Sequence, residues 1–118
     1  MIGRIRDRAT FDALRREGRR VRRGPVTVTF VPGAPDDGVR VAYAIGRRVG
    51  AAVVRNRLRR QLRAAVREVD VSRGGLAAGA YLVGLRPEAA GRSFGELRSA
   101  LDGALGQLAS RTGAGTPP

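Results

Sequence analysis

Eight arginines and no acidic residue fall in the 21 residues from Arg47 to Arg67, with Asn56 set among them. Guanidinium groups at that density hold polyanions, because each presents a planar fork of donors that matches a phosphate, stays charged at physiological pH and stacks on bases. Wound at about 100° per residue, residues 52–69 send Val54, Leu58, Leu62, Ala65, Val66 and Val69 to one side and Asn56, Arg59, Arg60, Arg63 and Arg67 to the other. Arg55 and Arg57 fall near the two borders, where the stem lies along the core and the head turns outward. A merely solvated helix intersperses glutamate with its cations for i, i+4 pairing, and none appears here before Glu68. The pattern is that of a helix with one face to pack and one to bind.

The whole chain agrees with this stretch. Its 118 residues carry 23 basic against 10 acidic side chains, a net charge of +13, and every basic residue is arginine. Such a charge opposes compaction unless an anionic partner answers it, and nucleic acid is the first partner to consider. The groups an enzyme would use are missing. With no histidine and no cysteine there is no imidazole base, no thiol nucleophile, no Ser-His-Asp arrangement, no disulfide and no thiolate metal site. The acids are scattered, and the adjacent Asp36 and Asp37 sit in a Pro- and Gly-rich turn, so no metal-dependent nuclease centre is expected. No phosphate-binding glycine loop follows a strand, which excludes a nucleotide cofactor of that kind. The polypeptide is expected to have no autonomous active site.

The elements that must position the arginines follow from the periodicities. Length predicts a single domain over residues 1–109, with residues 110–118 a disordered tail that lacks an apolar period. Residues 1–8 read as a loose basic arm. A short helix over residues 10–17 carries Phe11 and Leu14 on one face and stops at Gly18, where a left-handed cap is expected. Residues 26–31 alternate as a strand, the Pro- and Gly-containing residues 32–38 break it, and residues 39–45 read as its hairpin partner with Val39, Val41, Tyr43 and Ile45 on one face. Phe30 could lie on either face. After the arginine helix, residues 80–85 form an apolar run fit for a buried strand, which makes a strand, helix, strand unit. Ser93 and Glu96 have the spacing of a capping box and open a second amphipathic helix through Leu97, Leu101, Leu105 and Leu108. No membrane span and no early apolar segment of the signal-peptide kind is expected, and the cytoplasm is the expected location.

The run Val54-Arg55-Asn56-Arg57-Leu58-Arg59-Arg60, preceded by Arg47-Arg48-Val49-Gly50, resembles the arginine-asparagine-arginine signature of the protein subunit of bacterial ribonuclease P. Phe11 and Gly18 on the first helix, and the step Leu85-Arg86-Pro87 before the last one, extend the resemblance over residues 4 to 108. It implies an α/β (α+β) two-layer sandwich of ribosomal-protein-like fold, with a mixed sheet of about four strands. The arginine helix then lies in a left-handed strand, helix, strand crossover, against the usual right-handed preference. It implies an endoribonuclease ribonucleoprotein, a hydrolase whose RNA and magnesium ions remove the 5′ leader from precursor tRNA. In that setting Arg55, Asn56, Arg57, Arg59, Arg60, Arg63 and Arg67 would meet the catalytic RNA, with Arg47 and Arg48 on phosphates at the helix entry. Phe11 would stack on the leader in a cleft between the first helix and the sheet, although it also suits a core position. Arg15 stands where many members carry a second phenylalanine, and offers a guanidinium plane or a phosphate contact instead.

Three other classes share the charge: a general ribosomal or RNA-chaperone protein, a sequence-specific DNA binder, and a membrane-surface protein. The last would need large apolar residues opposite the basic face, and this helix offers mainly Val, Ala and two Leu.

Overall fold

The computed structural model describes the backbone of residues 2–114 and the side chains of residues 2–110. Five strands and three helices follow one another as β1 (Ile2–Arg4), α1 (Arg8–Glu17), β2 (Arg19–Arg23), β3 (Val26–Pro32), β4 (Val39–Ala44), α2 (Ala52–Ser72), β5 (Gly79–Leu85) and α3 (Phe94–Ala114), with short 3-10 turns at Pro35–Asp37, Arg47–Val49 and Pro87–Gly91. The strands form one mixed sheet in the order β1-β4-β5-β3-β2. The sheet therefore has five strands where about four were expected, and β4, α2 and β5 make the expected strand, helix, strand unit with β4 and β5 parallel neighbours.

The expected hairpin of residues 26–31 with 39–45 does not form. β5 lies between them, antiparallel to β3 and parallel to β4. Its start is held from both sides, Gly33 donating its N–H to the Ala78 carbonyl at 3.0 Å and Gly79 donating to the Gly38 carbonyl at 2.9 Å. The physical reason is burial: five of the seven residues of β5 are buried, and so apolar a strand belongs in the middle of a sheet, where neighbours on each side satisfy its backbone. The true hairpin partner of β3 is β2, which pairs Arg23 with Val26 and Val21 with Val28. Residues 2–4, expected in a loose arm, form β1 against β4, and Ile5 behind it is buried with Leu14 and Ala80; Met1 lies outside the described residues.

Side chains alternate cleanly across the sheet. Val26, Val28 and Phe30 of β3 join Val41, Tyr81 and Val83 in a core closed by Leu58, Leu62, Val66 and Val69 of α2 and by Leu97, Leu101 and Leu105 of α3. Phe30 thus takes the helix-covered face, its ring centroid 4.6 Å from that of Tyr81, and Tyr43 packs on this core as expected. α1 crosses the opposite face, packing on β3 and β5.

Helix ends follow local chemistry. Asp7 caps α1 by accepting from the Thr10 N–H at 2.9 Å and the Thr10 hydroxyl at 2.6 Å, bonds that hold its carboxyl below the usual range. Gly18 ends α1 with φ of −65°, not with the left-handed cap expected. Its glycine is needed for close approach, since a Cβ there would run into the Leu14 carbonyl and the Thr29 methyl group. The capping box of α3 is present in both directions, Glu96 N–H donating to Ser93 Oγ at 3.1 Å and Ser93 N–H to Glu96 Oε1 at 2.9 Å. α3 continues through residue 114, into the expected tail; residues 115–118 lie outside the described residues.

Candidate nucleic-acid interface

α2 divides as its wheel requires except at two positions, Arg59, expected on the open face but half-buried, and Arg57, expected at a border but exposed. Leu58, Leu62, Ala65, Val66 and Val69 are buried and Val54 is half-buried, while Asn56, Arg57, Arg60, Arg63 and Arg67 are exposed and Arg55 and Arg59 half-buried. Several of the guanidiniums are aimed without being neutralised. Arg55 Nε donates to the Gly50 carbonyl at 3.2 Å, tying the helix to the turn before it, and Arg57 Nη2 donates to the Ala90 carbonyl at 3.3 Å. Arg59 Nη1 donates to Asn56 Oδ1 at 3.1 Å, and the Arg63 guanidinium stands 5.9 Å from the Tyr43 ring centroid. Arg47 and Arg48 are exposed in the 3-10 turn that leads into α2.

Acids are spent elsewhere. Among the described residues the ion pairs engage Arg15, Arg22, Arg40, Arg73, Arg86, Arg92 and Arg98, and none of the eight arginines from Arg47 to Arg67 meets a carboxylate. Glu68, the first acid on α2, faces α3 and pairs with Arg98 at 2.8 Å. α2 also begins without a side-chain cap at Ala51 and without an acid in its first turn, so the positive end of its dipole adds to the field of Arg47, Arg48 and Arg55.

A second surface lies on the other face of the sheet. Leu14 of α1 is buried with Ile5 and Ala80, while Phe11, Val31, Ala42 and Leu82 pack around that cluster, and beyond α1 the strands are left open as the floor of a groove of about 730 Å³. Phe11 and Arg15 form one wall, Thr27, Thr29 and Gly84 the floor, and Arg20 and Arg86 the far side. The floor is low because of Gly84, where a Cβ would fall 2.7 Å from Thr27 Oγ1. Arg15 is held by Asp12 at 2.6 Å and Arg86 by Glu88 at 3.3 Å; both pairs are exposed, and exposed pairs are weak enough to exchange for a phosphate.

The structure therefore brings Phe11 and Arg15 together in the groove, and Asn56 with Arg59, Arg60, Arg63 and Arg67 on α2, with Arg47 and Arg48 at its entry. Arg20 and Arg86 were not among the sequence candidates. The signal for Arg20 was the alternation Arg19-Arg20-Val21-Arg22-Arg23 about a single apolar residue, a strand pattern hidden by its charge. Asp36 and Asp37 are turn formers, Asp37 Oδ2 accepting from the Ala34 N–H at 2.8 Å. No group of three or more acids converges on a metal-sized site among the described residues, and no described helix is long and apolar enough to cross a membrane.

The arginine-rich helix face and the open groove on the sheet belong to a fold that known proteins share. The family model for ribonuclease P matches residues 3–109. The ribonuclease P protein component of Thermobifida fusca is 42% identical over 110 residues, covering 86% of this chain and 73% of that protein. The component of Acidothermus cellulolyticus is 39% identical over 110 residues, covering 89% of this chain and 87% of its own. Among solved structures, the ribonuclease P protein of Staphylococcus aureus superposes with a TM-score of 0.73 at 23% identity, covering 89% of this chain and 94% of that one, a likeness of fold. The chain belongs to the ribonuclease P protein family.

Proposed function

We propose that residues 1–109 act as the RNA-binding protein subunit of the cytoplasmic ribonucleoprotein that removes the 5′ leader from precursor tRNA, with the reaction carried by the RNA and its magnesium ions. The observation that carries this reading is the arginine face of α2, on which no guanidinium from Arg47 to Arg67 meets a carboxylate among the described residues. Arg55, Asn56, Arg57, Arg59, Arg60, Arg63 and Arg67 hold the catalytic RNA, and Arg47 and Arg48 take phosphates at the helix entry. The groove opposite takes the unpaired leader, with Phe11 as a stacking surface and Arg15, Arg20 and Arg86 along the backbone. The protein's share of the work is to bind and neutralise, which lowers the magnesium concentration that two polyanions need to come together.

The test is cleavage of a 5′-extended precursor tRNA by a bacterial-type ribonuclease P RNA at low magnesium, with and without the protein. The intact chain is expected to stimulate cleavage, and Arg59→Ala with Arg63→Ala to weaken it. If six to eight arginines meet phosphates, the log-log salt slope of RNA binding is roughly −4 to −7, and the double variant lowers its magnitude by about 1.5. A slope near −1, or RNA binding without stimulation, would sink the reading.

A further inference from the structure

The helix-covered face of the sheet is not closed at its β1 edge. Between β1, β4 and the second half of α2 lies a cavity of about 570 Å³, within the size range of small-molecule sites. Its apolar lining comes from Val41 and Val66 below and from Ile2 and Val71 at the sides. Val71 is 80% exposed, an apolar side chain that the core leaves to solvent at this rim. Tyr43 also lines the cavity, and its hydroxyl has no hydrogen bond among the described residues. Over the same opening stand Arg63 and Arg67, the C-terminal pair of the arginine face, with Arg4 across from them on β1.

An apolar slot with one aromatic ring, bordered by cations at the end of a phosphate-binding helix, has the chemistry of a base receptor. Unpaired bases are taken up by stacking on aromatic or guanidinium planes while their phosphates meet cations alongside. We propose that this cavity receives one unstacked nucleobase of the RNA held by the arginine face of α2, its rings taking the place over Tyr43 where the Arg63 guanidinium stands, 5.9 Å from the ring centroid, as Arg63 and Arg67 turn to the flanking phosphates; the proposal rests on the RNA-binding reading above. Asp70, the one acid in the lining, accepts from the Leu76 N–H through Oδ1 at 2.8 Å. Among the described residues its second oxygen takes no hydrogen bond and can accept from the exocyclic amine of adenine, cytosine or guanine; uracil has no such amine and offers only its ring N–H and a single ring to stack. A second copy of the chain is a poor occupant. Self-pairing through this face would bring Arg4, Arg63 and Arg67 of a +13 chain against their own equivalents.

The experiment uses the full chain with its isoleucine and valine methyls labelled for NMR, titrated with AMP, UMP and ribose 5-phosphate. AMP at about millimolar concentration is expected to move the methyls of Ile2, Val41, Val66 and Val71, UMP to bind more weakly, and ribose 5-phosphate to leave those methyls in place. Tyr43→Leu, which keeps an apolar side chain but removes the ring, should weaken AMP binding about tenfold, and Val71→Glu at the exposed rim should weaken it without touching the core. Ultraviolet cross-linking to a bacterial ribonuclease P RNA should leave a nucleotide adduct on the tryptic peptide 41–47, which holds Tyr43. RNA binding with a steep salt slope but no such adduct, and methyls unmoved by AMP, would overturn the pocket while leaving the arginine face standing. AMP seated in the pocket with a flat salt slope would do the reverse. Methyl shifts that arise on concentrating the protein alone would assign the pocket to self-association and end the proposal.

Discussion

On one face of the sheet α2 and α3 cover Val26, Val28, Phe30, Val41, Tyr81 and Val83 with leucine and valine, whereas on the other α1 covers Ala80 and half of Leu82 and leaves Thr27, Thr29 and Gly84 in an open groove. The same strands supply both surfaces through the two-residue alternation of their side chains. The first face uses that alternation to exclude water and sets the stability of the fold. The second, with small and hydroxylated residues, forgoes burial and keeps an open surface, the one proposed above for the leader. A contrast of this kind is tested by substitutions that should affect only one side of it.

The largest effect is expected from Leu62→Ala. Leu62 is fully buried between the sheet and α3, and removing it costs the transfer energy of the lost carbons and leaves a cavity, about 3 kcal/mol of unfolding free energy. Its neighbour in sequence, Arg63, is exposed, and Arg63→Ala, which removes only a guanidinium standing over the Tyr43 ring, should change stability by less than about 1 kcal/mol while reducing the salt slope of RNA binding. Urea denaturation of both variants measures the first pair of numbers. A cost below about 1 kcal/mol for Leu62→Ala would mean that the two faces of α2 are less divided than their burial indicates.

Next in size is an alkaline loss confined to the covered face. Burial, and behind it the charge of Asp70, pushes the Tyr81 phenol from 10.0 up to about 12, and its hydroxyl donates to the Ala77 carbonyl at 2.7 Å. A raised folded-state pKa keeps the neutral phenol in the folded protein, so its contribution is complete below pH 10 and is lost as pH rises towards 12, of order 2 kcal/mol. Burial also raises the Tyr43 phenol, against the opposing charges of Arg63 and Arg67, so it contributes in the same direction. With no lysine and no cysteine in the chain, few other groups titrate there. Denaturation midpoints measured from pH 8 to 11.5 should fall only above pH 10, and Tyr81→Phe should flatten most of that fall.

The covered face was the more legible of the two in the sequence. The apolar spacing of Leu58, Leu62, Val66 and Val69 places α2 to within a few residues of Ala52–Ser72, and Ser93 with Glu96 marks the start of α3, because helix periodicity and capping are local. Strand order is not local, and there the reading failed. Residues 26–31 and 39–45 look like a hairpin until β5, distant in sequence, enters between them. β2 was hidden for a different reason. Only Val21 of its five residues turns to the core, and its four arginines, which serve to guard a sheet edge from further pairing, leave no repeating apolar alternation, so the sequence reading assigned residues 19–25 no element. Arg20 and Arg86 were missed with it, since their meeting in the groove depends on the register of β2, β3 and β5.

The smallest effect concerns Phe11, whose half-buried ring both packs on α1's small cluster and borders the groove. If its groove edge stacks on an unpaired base, Phe11→Ala should weaken binding of a leader-bearing precursor tRNA by about tenfold, towards the lower end of the range for one stacked base. Loss of packing alone would lower stability and weaken mature and precursor tRNA equally. The discriminating measurement is therefore the ratio of affinities for precursor tRNA with a five-nucleotide leader and for mature tRNA, in the reconstituted holoenzyme. Phe11→Leu provides the control, because it fills the cluster but lacks the ring, and should reduce that ratio while retaining the midpoint of unfolding. Arg15→Phe, which would place a second ring one helical turn away, should raise the ratio if the groove binds bases and leave it unchanged if the groove holds the leader only through phosphates. A ratio untouched by both Phe11→Leu and Arg15→Phe would return Phe11 to the core, and the open face would then bind through Arg15, Arg20 and Arg86 alone.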